Sequence, residues 1–282
     1  MPPMSSVELV RAVLGSPLGA PVRVLYSGVL RLQVVAVGML DAARSRGRSD
    51  RGWLAEQLSV SAKTFLRPAT ARRMVRTVRR VFDGDVVIAD DSPTPMAPPD
   101  ARCRIVELPF NSGVTVGRNA ALAQVRTPFV LVTDDDVLFT RASDLERAVR
   151  FLVDHPEVDA VCAFQVELPR WYAVEAGDES ELFPGHRPLR IPHGTEIDGT
   201  RVVAKGPTAY VGRTEALRQV PYDEKIRMVD HRDFFSSAAG RLVFVQARWF
   251  VVYHARTPFN RSYNQHRDDV HPDLFYLGGK WG

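Results

Sequence analysis

The stretch Phe129-Val130-Leu131-Val132-Thr133-Asp134-Asp135-Asp136-Val137-Leu138-Phe139 sets the tightest limit on how this chain folds. Apolar and β-branched residues run into three consecutive carboxylates and then straight back into apolar residues, the pattern of a buried strand that ends at a charged cleft. Adjacent acids repel one another. A divalent cation with hard oxygen ligands is the usual relief, and such an ion can also neutralise a diphosphate. The alternative is a solvated acidic turn, and the apolar flanks argue against it.

The surrounding sequence alternates in type. Residues 64–66 read as a short strand, 69–82 as a helix with several arginines, 86–89 as a second strand closing on Asp90-Asp91-Ser92, and 104–108 as a third. A helix over 116–125 and the fourth strand, 129–133, complete the series. Such alternation predicts an α/β protein with a mostly parallel sheet flanked by helices, with ligands at the carboxyl ends of the strands. Both acidic clusters fall at such ends. A helix at 142–152 and a strand at 160–168 follow. Residues 169–199, rich in Gly, Pro and His, read as a long excursion over the site. Helices at 214–219 and 230–239 and strands at 242–246 and 249–254 finish the fold, leaving a polar and aromatic tail. No internal repeat is visible.

Residues 1–60 read as a helical extension, with helices at 7–14, 22–44 and 50–58. Leu25, Val29, Leu32, Ala36 and Leu40 recur at three- and four-residue steps and form one face. That face suits the main domain, a second copy in a homodimer, or, with Arg23, Arg31, Arg44 and Arg46 flanking it, peripheral contact with a membrane. The most apolar segment, 24–40, is interrupted by Ser27, Gly28, Arg31 and Gln33 and is short for a bilayer span, so no transmembrane helix is expected. The start of the chain lacks a signal-peptide pattern. At 282 residues the chain can hold one large α/β domain with an appendage. A formal charge of +4 with a pI near 9.3 suits phosphate-bearing ligands but is too small to imply nucleic acid. Cys103 and Cys162 have neither zinc spacing nor a disulfide framework, which points to a reducing cytoplasm.

The order Thr64-Phe65-Leu66-Arg67-Pro68, Ile88-Ala89-Asp90-Asp91-Ser92, Asn111-Ser112-Gly113, Gly117-Arg118-Asn119-Ala120-Ala121-Leu122, Asp134-Asp135-Asp136 resembles the nucleotide-sugar half of inverting GT-A glycosyltransferases. It is most similar to the large bacterial family 2 type and to the ganglioside N-acetylgalactosaminyltransferases. The likeness covers roughly residues 63–255. It implies a GT-A domain over 61–255, with a nucleotide-sugar half at 61–140 and an acceptor half at 141–255, and leaves unexplained the helical extension at 1–60 and the tail at 256–282, which reads as a lid or as an ordered extension. Each short motif is weak alone, and their joint order carries the resemblance.

The resemblance implies roles for particular residues. Thr64, Arg67, Asp90, Asp91, Arg118, Asn119, Asp134 and Asp135 would serve the donor, a UDP-sugar by preference. A carboxylate such as Asp91 can accept from a pyrimidine imide N–H, and the helix start at Gly117-Arg118-Asn119 suits phosphate oxygens. A turn cap is the plain structural role for Asp90-Asp91-Ser92, and a helix start of this kind is commonplace. Asp134, Asp136 and His254 would hold Mn²⁺ or Mg²⁺, since imidazole with carboxylate oxygens suits Mn²⁺; a lone histidine after a strand is otherwise structural. Inversion needs a base to take a proton from the acceptor hydroxyl of a glycan or natural product. Met228-Val229-Asp230-His231-Arg232-Asp233 resembles the acceptor-side motif, with His231 where many relatives carry a second acid. Asp230, His231 and Asp233 remain open as the base, Asp230 first; helix capping is their plain structural role. A nucleotidyltransferase on a related sheet and a non-catalytic sugar-nucleotide-binding protein are the competing readings, though no Gly-rich phosphate loop appears near the start of the chain.

Overall fold

The computed structural model describes residues 19–43, 50–267 and 269–282. Four strands come first: β1 (Leu58–Thr64), β2 (Val86–Asp90), β3 (Cys103–Glu107) and β4 (Phe129–Asp134). Then follow β5 (Val137–Leu138), β6 (Ala160–Leu168), β7 (Tyr172–Val174), β8 (Glu196–Ile197), β9 (Thr200–Val203), β10 (Tyr210–Arg213) and β11 (Phe244–Ala255). The helices are α1 (Ala20–Ala43), α2 (Arg51–Gln57), α3 (Pro68–Val78), α4 (Val114–Ala123), α5 (Leu145–Asp154), α6 (Thr214–Arg218), α7 (Asp230–Ala238), α8 (Arg261–Asn264) and α9 (His271–Trp281).

All the strands join one sheet, ordered β3-β2-β1-β4-β10-β6-β11-β9-β8, with β5 beside β11 and β7 beside β6. The expected parallel pairing holds across β3, β2, β1 and β4. Beyond β4 the sheet is mixed, because β10 runs antiparallel between β4 and β6. Helices cover both faces. Val60, Ile88, Leu131 and Val161 pack with Met74 and Val149 on one side, while Val130, Val132 and Cys162 pack with Phe234 and Phe235 on the other. Burial on both faces explains why β2 and β4 read as nearly unbroken apolar runs.

Three expected elements are corrected. The first strand is Leu58–Thr64 and not 64–66, and the helix before it stops at Gln57. Ser59 and Ser61 disguised it, yet both are buried in the sheet, and Thr127 Oγ1 donates to Ser59 Oγ at 2.9 Å. The two strands expected over 242–254 are one strand whose register shifts between Ala247 and Val251, a bulge that breaks the alternation. The apolar segment judged too short for a bilayer is part of a 24-residue helix that is long and apolar enough to cross a membrane, by length and composition. The helix expected at 7–14 lies outside the described residues.

Candidate active site

Parallel strands present their carboxyl ends on one edge, and there the protein has a cavity of about 650 Å³. Lys63, Arg67, Arg118, Asp134 and Asp136 line it. So do Glu167, Asp230, His231 and His254.

β4 ends at Asp134, and the two-residue turn that leads into β5 sends the three acids different ways. Asp134 faces the cavity and accepts from Arg118 Nη2 at 2.8 Å. Asp135 turns the other way, is fully buried, and accepts from Thr64 Oγ1 at 2.7 Å and from Arg67. Burial raises its pKa to about 6 against the opposing charge of Arg67. Asp136 returns to the cavity, 3.0 Å from Arg67 Nη1 and 3.0 Å from His254 Nε2. Its burial opposes ionisation, but His254 and Arg67 outweigh that and hold the carboxyl well below the usual range.

His254 lies 118 residues further on and arrives through strand register. β5, directly after the acids, pairs with β11 so that Val137 stands opposite His254, and Ala255 N donates to Asp136 O at 2.9 Å. On the other flank β6 sets Glu167 opposite His254. Glu167 Oε1 lies 2.6 Å from His254 Nδ1 and also accepts from Gln165 Nε2 at 2.9 Å. Burial lowers the basicity of His254, and the two acids more than reverse this, to a pKa of about 10.

A divalent cation fits this donor set in one respect and not yet in another. Asp136 and His254 already meet, and a carboxylate on Nδ1 fixes the imidazole with Nε2 toward the cavity acids, as the ligand histidines of metal sites are fixed. Asp134 instead turns to Arg118, and among the described residues no group of three such side chains is arranged to hold a metal.

The expected donor residues divide. Arg67, Arg118 and Asp134 line the cavity. Thr64 and Asp135 bond to each other behind it. Asp91 is fully buried, paired with Lys63 Nζ at 2.8 Å and accepting from Gly113 N at 3.1 Å. Asp90 caps its own loop through Ser92 N and Met96 N. Asn119 pins Tyr222 through both backbone groups, at 2.9 and 3.0 Å, and so positions a loop. Lys63 was missed by sequence reasoning. It crosses α4 so closely that a Cβ on Gly117 would lie 2.3 Å from Lys63 Cγ.

The three acceptor-side candidates also separate. Asp230 opens α7, is buried, and accepts from Arg118 Nη1 at 2.7 Å. His231 Nε2 lies 2.7 Å from Gly206 O, and burial lowers its pKa. Asp233 is not in the cavity wall: it accepts from Trp281 Nε1 at 2.7 Å and pairs with Lys280 Nζ at 2.8 Å. The tail also supplies Tyr263, Asn264 and Arg267 to the wall, with the Tyr263 ring 4.1 Å from the Arg67 guanidinium. Glu167 was likewise missed, although an acid inside an apolar strand was its available signal.

A family model described as "Glycosyl transferase family 2" matches residues 59–220. The chain is 29% identical over 221 residues to beta-1,4 N-acetylgalactosaminyltransferase 2 of Mus musculus, a match covering 71% of this chain and 40% of that protein. It is 33% identical over 211 residues to beta-1,4 N-acetylgalactosaminyltransferase 1 of Rattus norvegicus, covering 70% and 39%. The match thus spans about two fifths of these relatives. In fold it resembles a mannosyltransferase from Pyrobaculum calidifontis solved with GDP-Man and Mn²⁺, with a TM-score of 0.53 at 17% identity over 92% of this chain and 74% of the other. The fold is GT-A, and a family match across more than half its length makes the chain a member of glycosyl transferase family 2.

Proposed function

We propose that the protein is a metal-dependent, inverting glycosyltransferase that moves a hexosyl unit from a nucleoside diphosphate sugar, UDP-sugar by preference, to a hydroxyl of a glycan or natural product. One observation carries the reading: a pair of metal-type ligands, Asp136 and His254, and a buried helix-start acid, Asp230, line the same cavity. A volume of about 650 Å³ lies within the range of small-ligand sites. The P. calidifontis mannosyltransferase, solved with both a nucleotide sugar and Mn²⁺, supports the class of donor and ion.

In this reading Lys63, Arg67 and Arg118 bring positive charge to the donor diphosphate. Asp136 and His254, with Asp134, would hold Mn²⁺ or Mg²⁺, whose charge offsets the charge gathering on the departing nucleoside diphosphate. Asp230 takes the proton of the acceptor hydroxyl, and that oxygen forms its bond to the anomeric carbon from the face opposite the diphosphate. The carbon–oxygen bond to the diphosphate breaks, and its electron pair leaves with the phosphate oxygen. Configuration therefore inverts. His231, with Nε2 directed to Gly206 O, shapes the acceptor side. The catalytic unit runs from β1 through β11, with α1 and α2 ahead of it, and 256–282 form a lid that contributes Tyr263 and Arg267 to the wall. The free, buried Cys103 and Cys162 support a reducing, cytoplasmic setting.

The test is a screen of nucleotide sugars for slow hydrolysis, which needs no acceptor, together with thermal melting. UDP with Mn²⁺ should raise the melting temperature, and chelation should stop hydrolysis of the matching sugar nucleotide. Stabilisation by a purine nucleotide alone would redirect the donor assignment. Hydrolysis that survives chelation would remove the metal.

A further inference from the structure

We propose that α1 is an interfacial helix that seats the protein on an anionic lipid surface. One face of α1 is already spoken for. Leu30 and Val37 pack against Leu138, Leu168 and Ala255. Gln33 Nε2 donates to Pro169 O at 3.0 Å, and the buried Asp41 lies 3.6 Å from Arg80 Nη1. A helix tied to a water-soluble domain by polar contacts along its side cannot also be wrapped in lipid, so α1 lies along a membrane and does not cross it.

The opposite face carries Val24, Leu25, Leu32, Val35, Met39 and Leu40, each between 54% and 72% exposed. At about 100° per residue these side chains spread over roughly half the helix circumference. A helix seam that pairs with a second copy is narrower. Charge identifies the occupant more closely. From residue 20 to residue 48 the sequence holds five arginines (Arg23, Arg31, Arg44, Arg46 and Arg48), and its one acid, Asp41, is buried. Beside α1, next to the carbonyl that Gln33 holds, the hairpin residues Arg170, Trp171 and Tyr172 are exposed. Trp and Tyr beside Arg are side chains suited to the headgroup level of a bilayer. Tyr172 also lines the cavity, so an acceptor carried by the membrane would reach the site past this rim. That corollary rests on the transferase reading, whereas lipid binding does not.

The test is co-sedimentation of the full chain with phosphatidylcholine vesicles, with and without phosphatidylglycerol, in low salt. The protein should pellet with the anionic vesicles and stay largely in solution with the neutral ones. The triple variant Leu25→Ser, Leu32→Ser, Met39→Ser should bind on the order of a hundredfold more weakly, with an unchanged melting temperature that shows it folds. Arg31→Gln and Arg170→Gln should each cost about fivefold on anionic vesicles only. Absence of sedimentation with either vesicle overturns the proposal. So does a solution dimer that the triple variant converts to monomer, since a second copy would then cover the face.

Discussion

Asp230 and Asp233 look alike in sequence, three residues apart in the first turn of α7, and the structure predicts opposite consequences for neutralising them. Asp233 is 1% exposed and holds the tail through Trp281 Nε1 and Lys280 Nζ. A hydrogen bond to a charged group contributes about 1.5–3 kcal/mol. Asp233→Asn leaves the amide oxygen available to Trp281, and Lys280 keeps Asp223 at 2.8 Å, so the net loss should be about 2 kcal/mol. For a chain of this size that is a fall in melting temperature of roughly 4–8 °C. Turnover at a temperature where the variant is folded should stay within about threefold, because the carboxylate touches no reacting atom in this reading. Asp230→Asn should destabilise by a similar amount, since Arg118 retains Asp134, but turnover should fall about a hundredfold to ten-thousandfold through loss of the base. Steady-state transfer or donor hydrolysis with scanning calorimetry on both variants reads the two quantities separately. If Asp233→Asn loses turnover and Asp230→Asn keeps it, the assignment of the two acids is refuted.

Glu167→Gln should weaken Mn²⁺ binding by about 10–100-fold, because the acceptor that fixes His254 Nδ1 loses its charge; calorimetric titration of the ion checks it, and an unchanged affinity would free Glu167 of that role. With metal chelated, stability should also depend on pH through His254. Its pKa rises from 6.5 to about 10 on folding, so its contribution is complete below pH 6.5 and drains away as pH climbs toward 10. Melting temperatures across that interval should fall, and His254→Gln should flatten the decline. A profile equally steep in that variant would assign the effect to other groups.

Legibility followed local pattern and failed where tertiary partners decide. β2 and β4 were visible because both faces are buried and the apolar runs are unbroken. β1 was shifted because Ser59 and Ser61 look like turn residues until their neighbours in the sheet are known. β10 was missed outright: it has four residues, Tyr210–Arg213, one of them a glycine. The three acids at the end of β4 were plain, but the different job of Asp135 depends on the turn before β5, which sends it back to Thr64 and Arg67. Asp233 could not be told from Asp230, since the partners that distinguish them are distant in sequence: the tail, 47 and 48 residues on, for Asp233, and Arg118, 112 residues back, for Asp230. Asn119 matched a donor-side motif yet binds the loop at Tyr222, a contact 103 residues away in sequence.

The repulsion among Asp134, Asp135 and Asp136 bears on what the cluster is for. Arg118, Arg67, Thr64 and His254 hold those acids in the folded chain, so crowded charge alone is no proof of a bound ion. Stability does not account for the arrangement either. Buried ion pairs cost so much desolvation that well-packed apolar replacements are often neutral or stabilising by about 1–4 kcal/mol. Here Arg118, Asp135, Asp136, Asp230 and His254 are all buried around a single cavity. Perturbed, buried, mutually paired charges concentrated in a cleft are what a site for charged chemistry needs, and a scaffold does not need them. The pairing is also specific in direction. Arg118 bonds Asp134 from the end of β4 and Asp230 from the start of α7, so one guanidinium joins the acid that closes the strand to the acid that opens the helix. Burial opposes its charge, the two carboxylates restore it, and its pKa stands well above the ordinary value. In the proposed reading, a donor bound through Arg118 would act on the same cation that holds Asp230 and so couple donor binding to the readiness of the base.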